Sequence, residues 1–213
     1  MTATMTLKTA KEISGTLGKT TKMECASYGI PANACKVGGI LAKLKGTVCH
    51  DCYAMKGNYT FPSVKKAQTK RLASLYHPQW TDAMVRQILH TKEKYFRWFD
   101  SGDIQSMAHL INILDVVRQT PDVLHWLPTK ETPLMHQYAK EYGISSIPAN
   151  IIIRISGTKV NGGATKRWPW TSTVHHNADF LGDECEAYTR QGNCGPCRKC
   201  WDRDVQNVSY PKH

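Results

Sequence analysis

Eight cysteines carry the strongest chemical signal in this sequence, and they fall into two sets of four. The C-terminal set, Cys185, Cys194, Cys197 and Cys200, reads C-x8-C-x2-C-x2-C. Three thiolates at successive three-residue steps, beginning in a Gly-Asn-Cys-Gly-Pro-Cys turn, can converge on one small centre, and runs of this kind hold [4Fe-4S] clusters. Zinc is the alternative, because four-thiolate zinc sites also use C-x2-C pairs, usually as two pairs across a longer loop. The N-terminal set, Cys25, Cys35, Cys49 and Cys52, is looser, C-x9-C-x13-C-x2-C. Its Cys49-His50-Asp51-Cys52 end suits half of a metal site or a redox dithiol. The nearby Cys25 and Cys35 favour metal. One cluster, two clusters, zinc, or a single centre with the remaining thiols idle all satisfy these spacings.

The expected compartment decides how the thiols are read. No apolar run approaches the ~20 residues of a membrane span, and Met1 to Leu17 lacks the apolar stretch and cleavage site of a secretory signal. A cytoplasmic protein is therefore expected, in a reducing medium that leaves thiolates free for metal. The net charge of +11 is uneven: residues 1–100 hold 16 Lys/Arg against 6 Asp/Glu, and residues 101–213 hold 12 against 11. A basic N-terminal half can attract nucleic acid, so a zinc-stabilised nucleic-acid-binding module is the second functional reading. Trp168-Pro169-Trp170 after Lys166-Arg167 invites base stacking, although aromatics packed under a loop have the same composition. His50, between paired cysteines, is placed either to tune a centre by a hydrogen bond or to sit in solvent. His175 and His176 are adjacent on a strand and face opposite sides, so they do not address one site together. No nucleotide-binding glycine loop, Gly-x-Ser-x-Gly elbow or His-Glu-x-x-His motif occurs, which removes the usual anchors of kinase and hydrolase readings.

A scaffold must bring these thiols together. Residues 1–62 show no sustained period and read as an irregular or short-element segment that contains four of the cysteines. From Ser63, Val64, Ala67, Arg71, Leu72 and Leu75 share one helix face, and Trp80, Met84, Ile88 and Tyr95 a second, with His77-Pro78 between them. Tyr95 to Phe99 suits a strand stopped by Asp100-Ser101-Gly102-Asp103. Ile104 to Thr120 returns to helical spacing, and Val123 to Leu127 is a second strand. A helix with Pro133 in its first turn is capped by Gly143. Ile151 to Ile155, isoleucine apart from Arg154, has the composition of a strand buried on both faces, and Ser172 to His175 is a further strand. This alternation predicts a single α/β domain with a mostly parallel sheet, either open or a partial (β/α) barrel, since too few units are present for eight. Its parts are the segment 1–62, a βα core over 63–182, and a loop-rich cysteine tail over 183–213.

Around Cys49-His50-Asp51-Cys52-Tyr53-Ala54-Met55-Lys56-Gly57-Asn58-Tyr59 the sequence resembles the tailed-phage gene product 88 family. The similarity continues through Ala34-Cys35-Lys36-Val37-Gly38, Arg97-Trp98-Phe99-Asp100-Ser101-Gly102-Asp103, Trp126-Leu127-Pro128-Thr129 and Cys194-Gly195-Pro196-Cys197-Arg198-Lys199-Cys200-Trp201. It implies a bacteriophage protein in the host cytoplasm. The same region resembles the radical S-adenosylmethionine superfamily, whose motif is C-x3-C-x2-C with an aromatic beside the last cysteine. Cys49, Cys52 and Tyr53 match its second half, while Lys45 stands where its first cysteine would be. That resemblance implies a core like the superfamily's partial barrel, a redox reaction fed by a host or phage electron donor, and an S-adenosylmethionine site. Tyr53, Ser101, Gly102 and Asp103 would form that site, with Asp103 as the carboxylate holding the cofactor's amine. The alternative for Asp100 to Asp103 is a turn that caps the following helix.

Overall fold

The structure, a computed structural model, describes residues 5–176 and 179–212. Its frame is an eight-stranded sheet that does not close. In chain order the strands are β1 (Gly18–Lys19), β2 (Ala26–Tyr28), β3 (Tyr95–Trp98), β4 (Leu124–Thr129), β5 (Ile151–Val160), β6 (Thr171–His175), β7 (Asp183–Glu184) and β8 (Asn207–Pro211). They lie in the order β1-β2-β3-β4-β5-β6-β8-β7, and every pairing except β1 with β2 is parallel. From β2 to β6 each strand therefore lies beside its predecessor. The expected open, mostly parallel α/β sheet is present.

The helices are α1 (Leu7–Ser14), α2 (Lys36–Leu41), α3 (Pro62–Ser74), α4 (Trp80–Thr91), α5 (Met107–Arg118) and α6 (Thr132–Tyr142). Trp80, Met84 and Ile88 of α4, Leu110, Ile113 and Leu114 of α5, and Met135 and Tyr138 of α6 share one apolar cluster with Tyr28, Phe96, Trp98, Leu127, Ile151, Ile153 and Ile155. Helices that connect successive parallel strands pack their apolar faces on the sheet in this way. The opposite, inner face carries the row Ser27, Arg97, Trp126 and Ile152, register-matched across four strands. Among the described residues, no α-helix residue belongs to the apolar cluster on that row. Trp126 and Ile152 instead pack against Trp201 and Cys25.

Four sequence expectations change in detail. The apolar spacing that carried a helix on to Tyr95 stops at Thr91, where Lys92 takes a left-handed conformation, and Tyr95 begins β3. The helix expected from Ile104 starts at Met107, capped by Ser106, whose hydroxyl accepts from the His109 amide at 3.1 Å. The irregular 1–62 segment contains α1 and α2. The tail supplies β7 and β8, whose short alternating pattern is too brief to register as a strand on its own.

Two buried histidines make the helical layer sensitive to acid. His125 Nδ1 accepts from Trp98 Nε1 at 3.3 Å while Nε2 meets the Thr120 hydroxyl at 2.9 Å. His109 accepts from the Gln105 amide through Nδ1 at 3.2 Å. Burial holds both near a pKa of about 3, against about 6.5 in an unfolded chain. Below that value the unfolded state binds protons that the folded state refuses, so stability is complete above pH 6.5 and falls as pH drops towards 3. Urea titrations are expected to show a loss of roughly 2 kcal/mol per histidine between pH 7 and pH 5. His125→Gln is expected to flatten that slope.

Candidate metal centres

The segment from Ile30 to Thr60 arches over the carboxyl ends of the parallel strands, and its anchors are polar. The Ile30 amide donates to the Ser101 carbonyl at 3.0 Å, and Lys36 Nζ to the Gln105 carbonyl at 2.6 Å, both beyond β3. The Val37 amide donates to Glu131 Oε1 at 3.0 Å, beyond β4. The Val48 amide donates to the Thr158 carbonyl of β5 at 2.9 Å, and Tyr53 Oη to the Asp100 carbonyl at 2.7 Å. These ties bring Cys35, Cys49 and Cys52 together. Cys35 has Asp103, Cys52, Cys49 and Glu131 as its charged or ionisable neighbours, and Cys49 has Lys130, Cys52 and Asp103.

Gly38 makes room between two of these thiols. A Cβ there would stand 3.7 Å from both the Cys35 and Cys49 sulfurs and 3.0 Å from Cys35 Cβ. Alanine stabilises a helix interior by roughly 0.5–1 kcal/mol over glycine, so a purely structural α2 would favour it. Gly38→Ala is therefore expected to leave the melting temperature unchanged or slightly raised while lowering the metal content of purified protein several-fold. Equal metal content in the two proteins would show that the space is not used.

Burial pushes the Cys35 thiol far above its ordinary value, with Asp103 adding to the effect. It also raises Cys49, opposed by Lys130. Burial thus disfavours the Cys35 and Cys49 thiolates, and a bound cation would favour them. Lys130 Nζ donates to the Gly157 carbonyl at 2.8 Å, and burial lowers its pKa. Asp103 is buried, with Oδ1 accepting from Thr129 Oγ1 at 2.6 Å and the Ile104 amide at 2.8 Å, and Oδ2 from the Lys130 amide at 2.8 Å. Burial raises it to about 6 against those bonds. Gly102 has a left-handed backbone at φ 81°, and a Cβ there would lie 2.3 Å from Ile30 Cγ1. Ser101 Oγ donates to the Ile30 carbonyl at 2.9 Å. Ser101, Gly102 and Asp103 thus brace the ends of β2, β3 and β4, and the cap expected of Asp100 to Asp103 belongs to Ser106. An open depression of about 610 Å³ is lined by Asp51, Tyr53, Lys56, Tyr59 and Lys212 among others, and none of the cysteines lines it.

The tail forms the second group. The Cys185 amide donates to the Ser209 carbonyl at 2.8 Å, the Cys194 amide to the Lys22 carbonyl at 2.9 Å, and the Cys197 amide to the Cys194 carbonyl at 3.2 Å. Cys200 Sγ lies 3.2 Å from Tyr210 Oη, and burial pushes its thiol up to about 12. Cys185 and Cys194 are electrostatic neighbours of Cys197 and Cys200. Arg154, fully buried on the inner face, fastens this tail. Its Nε donates to the Cys200 carbonyl at 3.1 Å, Nη2 to those of Lys199 at 2.9 Å and Asp202 at 2.8 Å, and Nη1 to Val205 at 2.9 Å.

Cys25 departs from the grouping that its sequence neighbours suggest. It packs with Trp126, Trp201 and Cys200, and its charged or ionisable neighbours are Arg97, Glu93, Cys194 and Arg198. The reason is β2: Cys25 precedes this strand and Cys35 follows it, so they lie towards opposite edges of the sheet. The two sets are therefore three thiols at the carboxyl edge and four in the tail with Cys25 beside them. Arg97 lies between, its guanidinium 4.8 Å above the Trp126 ring, with Nη2 donating to Tyr53 Oη at 3.4 Å and Nε buried without a partner among the described residues. Sequence reasoning missed Arg97, Lys130, Glu131 and Arg154, although an arginine within an isoleucine run was a visible irregularity.

The remaining candidates take ordinary roles. His50 is exposed, with Nδ1 3.1 Å from the Ala42 carbonyl. His175 is held by Ser209 and Glu184 while His176 is exposed, as their adjacency predicts. Trp168 is buried and donates to the Ile153 carbonyl at 2.7 Å, and Trp170 lies under Arg203. Neither indole offers a free stacking face. All eight cysteines are free thiols. Among the described residues, no three His, Cys, Asp or Glu side chains are close enough to share one metal ion, and no helix is long and apolar enough to cross a membrane.

Compared with known proteins, residues 2–203 match the family model described as Gene product 88. No curated protein and no solved structure matches the chain.

Proposed function

The chain belongs to the gene product 88 family, and we propose that it acts there as an iron-sulfur protein with two centres. Cys35, Cys49 and Cys52 would hold one, and Cys185, Cys194, Cys197 and Cys200 the other. The observation that carries this reading is the convergence of three thiols on the carboxyl edge of a parallel sheet, where open α/β folds bind their ligands, around a space that a Gly38 side chain would fill. Zinc held by the same thiols is the alternative reading, and the metal analysis below separates the two.

Bound clusters would supply one-electron chemistry. The chain's own residues shape where it is used. Three thiols leave one iron of a four-iron core without protein sulfur, the position an external sulfonium cofactor would take. Of the chain's own residues, Asp103 neighbours Cys35 and Cys49, and Lys130, a neighbour of Cys49, would offset thiolate charge. Asp103 has spent most of its acceptor capacity on Thr129, Ile104 and Lys130, so its role is to fix the edge rather than to reach outward. A reductive reaction of the radical S-adenosylmethionine kind is the finer form of this proposal, and electron transfer alone the simpler one. Free thiols throughout suit a reducing cytoplasm.

The test is anaerobic purification followed by iron and sulfide quantitation and electron paramagnetic resonance, with and without S-adenosylmethionine. A brown protein with about eight irons and eight sulfides per chain, the content of two [4Fe-4S] clusters, is expected. Colourless protein with stoichiometric zinc would overturn the proposal, as would the absence of iron and sulfide after anaerobic reconstitution.

A further inference from the structure

Buried polar atoms in folded proteins are nearly always paired, so several unpaired ones side by side call for an occupant. Of the seven buried side-chain polar atoms that lack a hydrogen-bond partner among the described residues, three fall on one row of the inner face: Ser27 Oγ on β2, Arg97 Nε on β3 and Trp126 Nε1 on β4. Ser27 pairs in register with Arg97, and Arg97 with Trp126, so the three stand on successive strands about 4.8 Å apart. Ser27 is 1% exposed and Trp126 3%. The arginine and indole N–H groups can only donate, and the serine hydroxyl donates or accepts. The guanidinium is also weakly held elsewhere. Its other contacts are long, Nη2 to Tyr53 Oη at 3.4 Å and Nη1 to Met23 Sδ at 3.9 Å. Asp100 is an electrostatic neighbour of Arg97, but its Oδ2 accepts from Tyr59 at 3.2 Å, and no ion pair joins it to Arg97 among the described residues. Two other arginines show the contrast: Arg154 donates to four backbone carbonyls within 3.1 Å, and Arg71 to those of Thr16 and Gly29 at 2.8 and 3.0 Å. Where this fold uses an arginine as a brace, carbonyls fill its donors.

We infer that the inner face of the sheet binds a small ligand through an oxyanion, a carboxylate or phosphate group, held by Arg97 and flanked by the donors of Ser27 and Trp126. An arginine cannot shed its charge, and a guanidinium withdrawn from water without an anion is costly to keep. Its planar fork matches carboxylate and phosphate alike, two parallel N–H donors to two oxygens. A row whose nitrogens only donate has nothing to offer a cation. Asp103, the residue that the sequence resemblance would give to an amine, has the opposite charge and belongs to a different place, the carboxyl edge. None of Ser27, Arg97 and Trp126 is a thiol, so this site stands independently of the iron-sulfur reading.

The experiment is calorimetry on the full chain in buffer free of phosphate and carboxylates, with inorganic phosphate and succinate as separate probes. Saturable binding at one site per chain is expected, and the tighter probe tells a phosphate ligand from a carboxylate one. Arg97→Lys is expected to weaken it roughly tenfold or more, since a point charge replaces the bidentate fork. Arg97→Met should abolish it, and Ser27→Ala and Trp126→Phe should each weaken it several-fold. Thermal unfolding separates a ligand-binding arginine from a brace. Without anion, Arg97→Met should melt at or above the wild-type temperature, because it removes a charge that has no counter-ion; phosphate should then raise the wild-type midpoint and leave that of Arg97→Met unchanged. No saturable binding of either probe, equal binding by Arg97→Met, or a lowered midpoint of Arg97→Met in anion-free buffer would each overturn the inference. Displacement of the bound probe by S-adenosylmethionine, one for one, would overturn it as a separate site and give Arg97 to that cofactor's carboxylate. Iron and sulfide content, measured on the same samples, reports on the iron-sulfur reading separately.

Discussion

Cys52→Ala is expected to remove about half of the bound iron, the share of one of two equal clusters, and to abolish one of two paramagnetic signals, whereas Cys25→Ala leaves that signal in place. The expectation follows from β2, which lies between Cys25 and Cys35 in the chain. The strand itself spans about 10 Å at ~3.3 Å per residue, and the thiols that neighbour Cys35 are Cys49 and Cys52. Cys25 is instead a neighbour of Cys194, enclosed by Trp126 and Trp201. Cys197→Ala should remove the other signal. Iron analysis and electron paramagnetic resonance on the three variants decide the matter: if Cys25→Ala and Cys52→Ala erase the same signal, the carboxyl-edge centre has four protein ligands and no open iron.

Arg154→Met should cost about 3–5 kcal/mol, the range for breaking a buried charged network, and should free the tail. The loss has two parts. Carbonyls of Lys199, Cys200, Asp202 and Val205 lose a donor while still buried, and such groups are expensive to strand. The tail also loses what holds it against β5, since no side chain of comparable reach replaces a guanidinium with five donors. Arg154→Lys, with three donors on a point charge, is expected to recover only part. Denaturant titration would measure the loss, and limited proteolysis would show new cleavage between residues 185 and 206. An unchanged cleavage pattern would mean that the cysteines themselves keep the tail in place.

Much of this architecture was legible before any coordinates. The helices from Pro62 and Trp80, the strand at Tyr95 and the buried strand at Ile151 follow from apolar periods that their packing realises, because local spacing and burial demand the same thing there. Gly143 ends α6 for a reason visible in one residue. What failed was anything requiring two distant stretches at once. Cys25 seemed to belong with Cys35 because they are close in sequence, and only the intervening strand shows that they part company. Arg154 could not be assigned a purpose because its partners are backbone carbonyls some 45 residues later, which leave no mark in side-chain type. Lys130 and Glu131 were invisible for a similar reason: nothing distinguishes them from solvated charges until the arch from Ile30 to Thr60 is laid over them.

The inner face has a consequence for the order of events during synthesis. Arg97, Trp126 and Ile152 are made early, yet the residues that cover them, Trp201 with its bond from Nε1 to the Phe96 carbonyl at 3.0 Å among them, come last. Until that stretch has been made, the row Arg97, Trp126 and Ile152 lacks its Trp201 cover, so that face of the sheet is completed only after the core strands are in place.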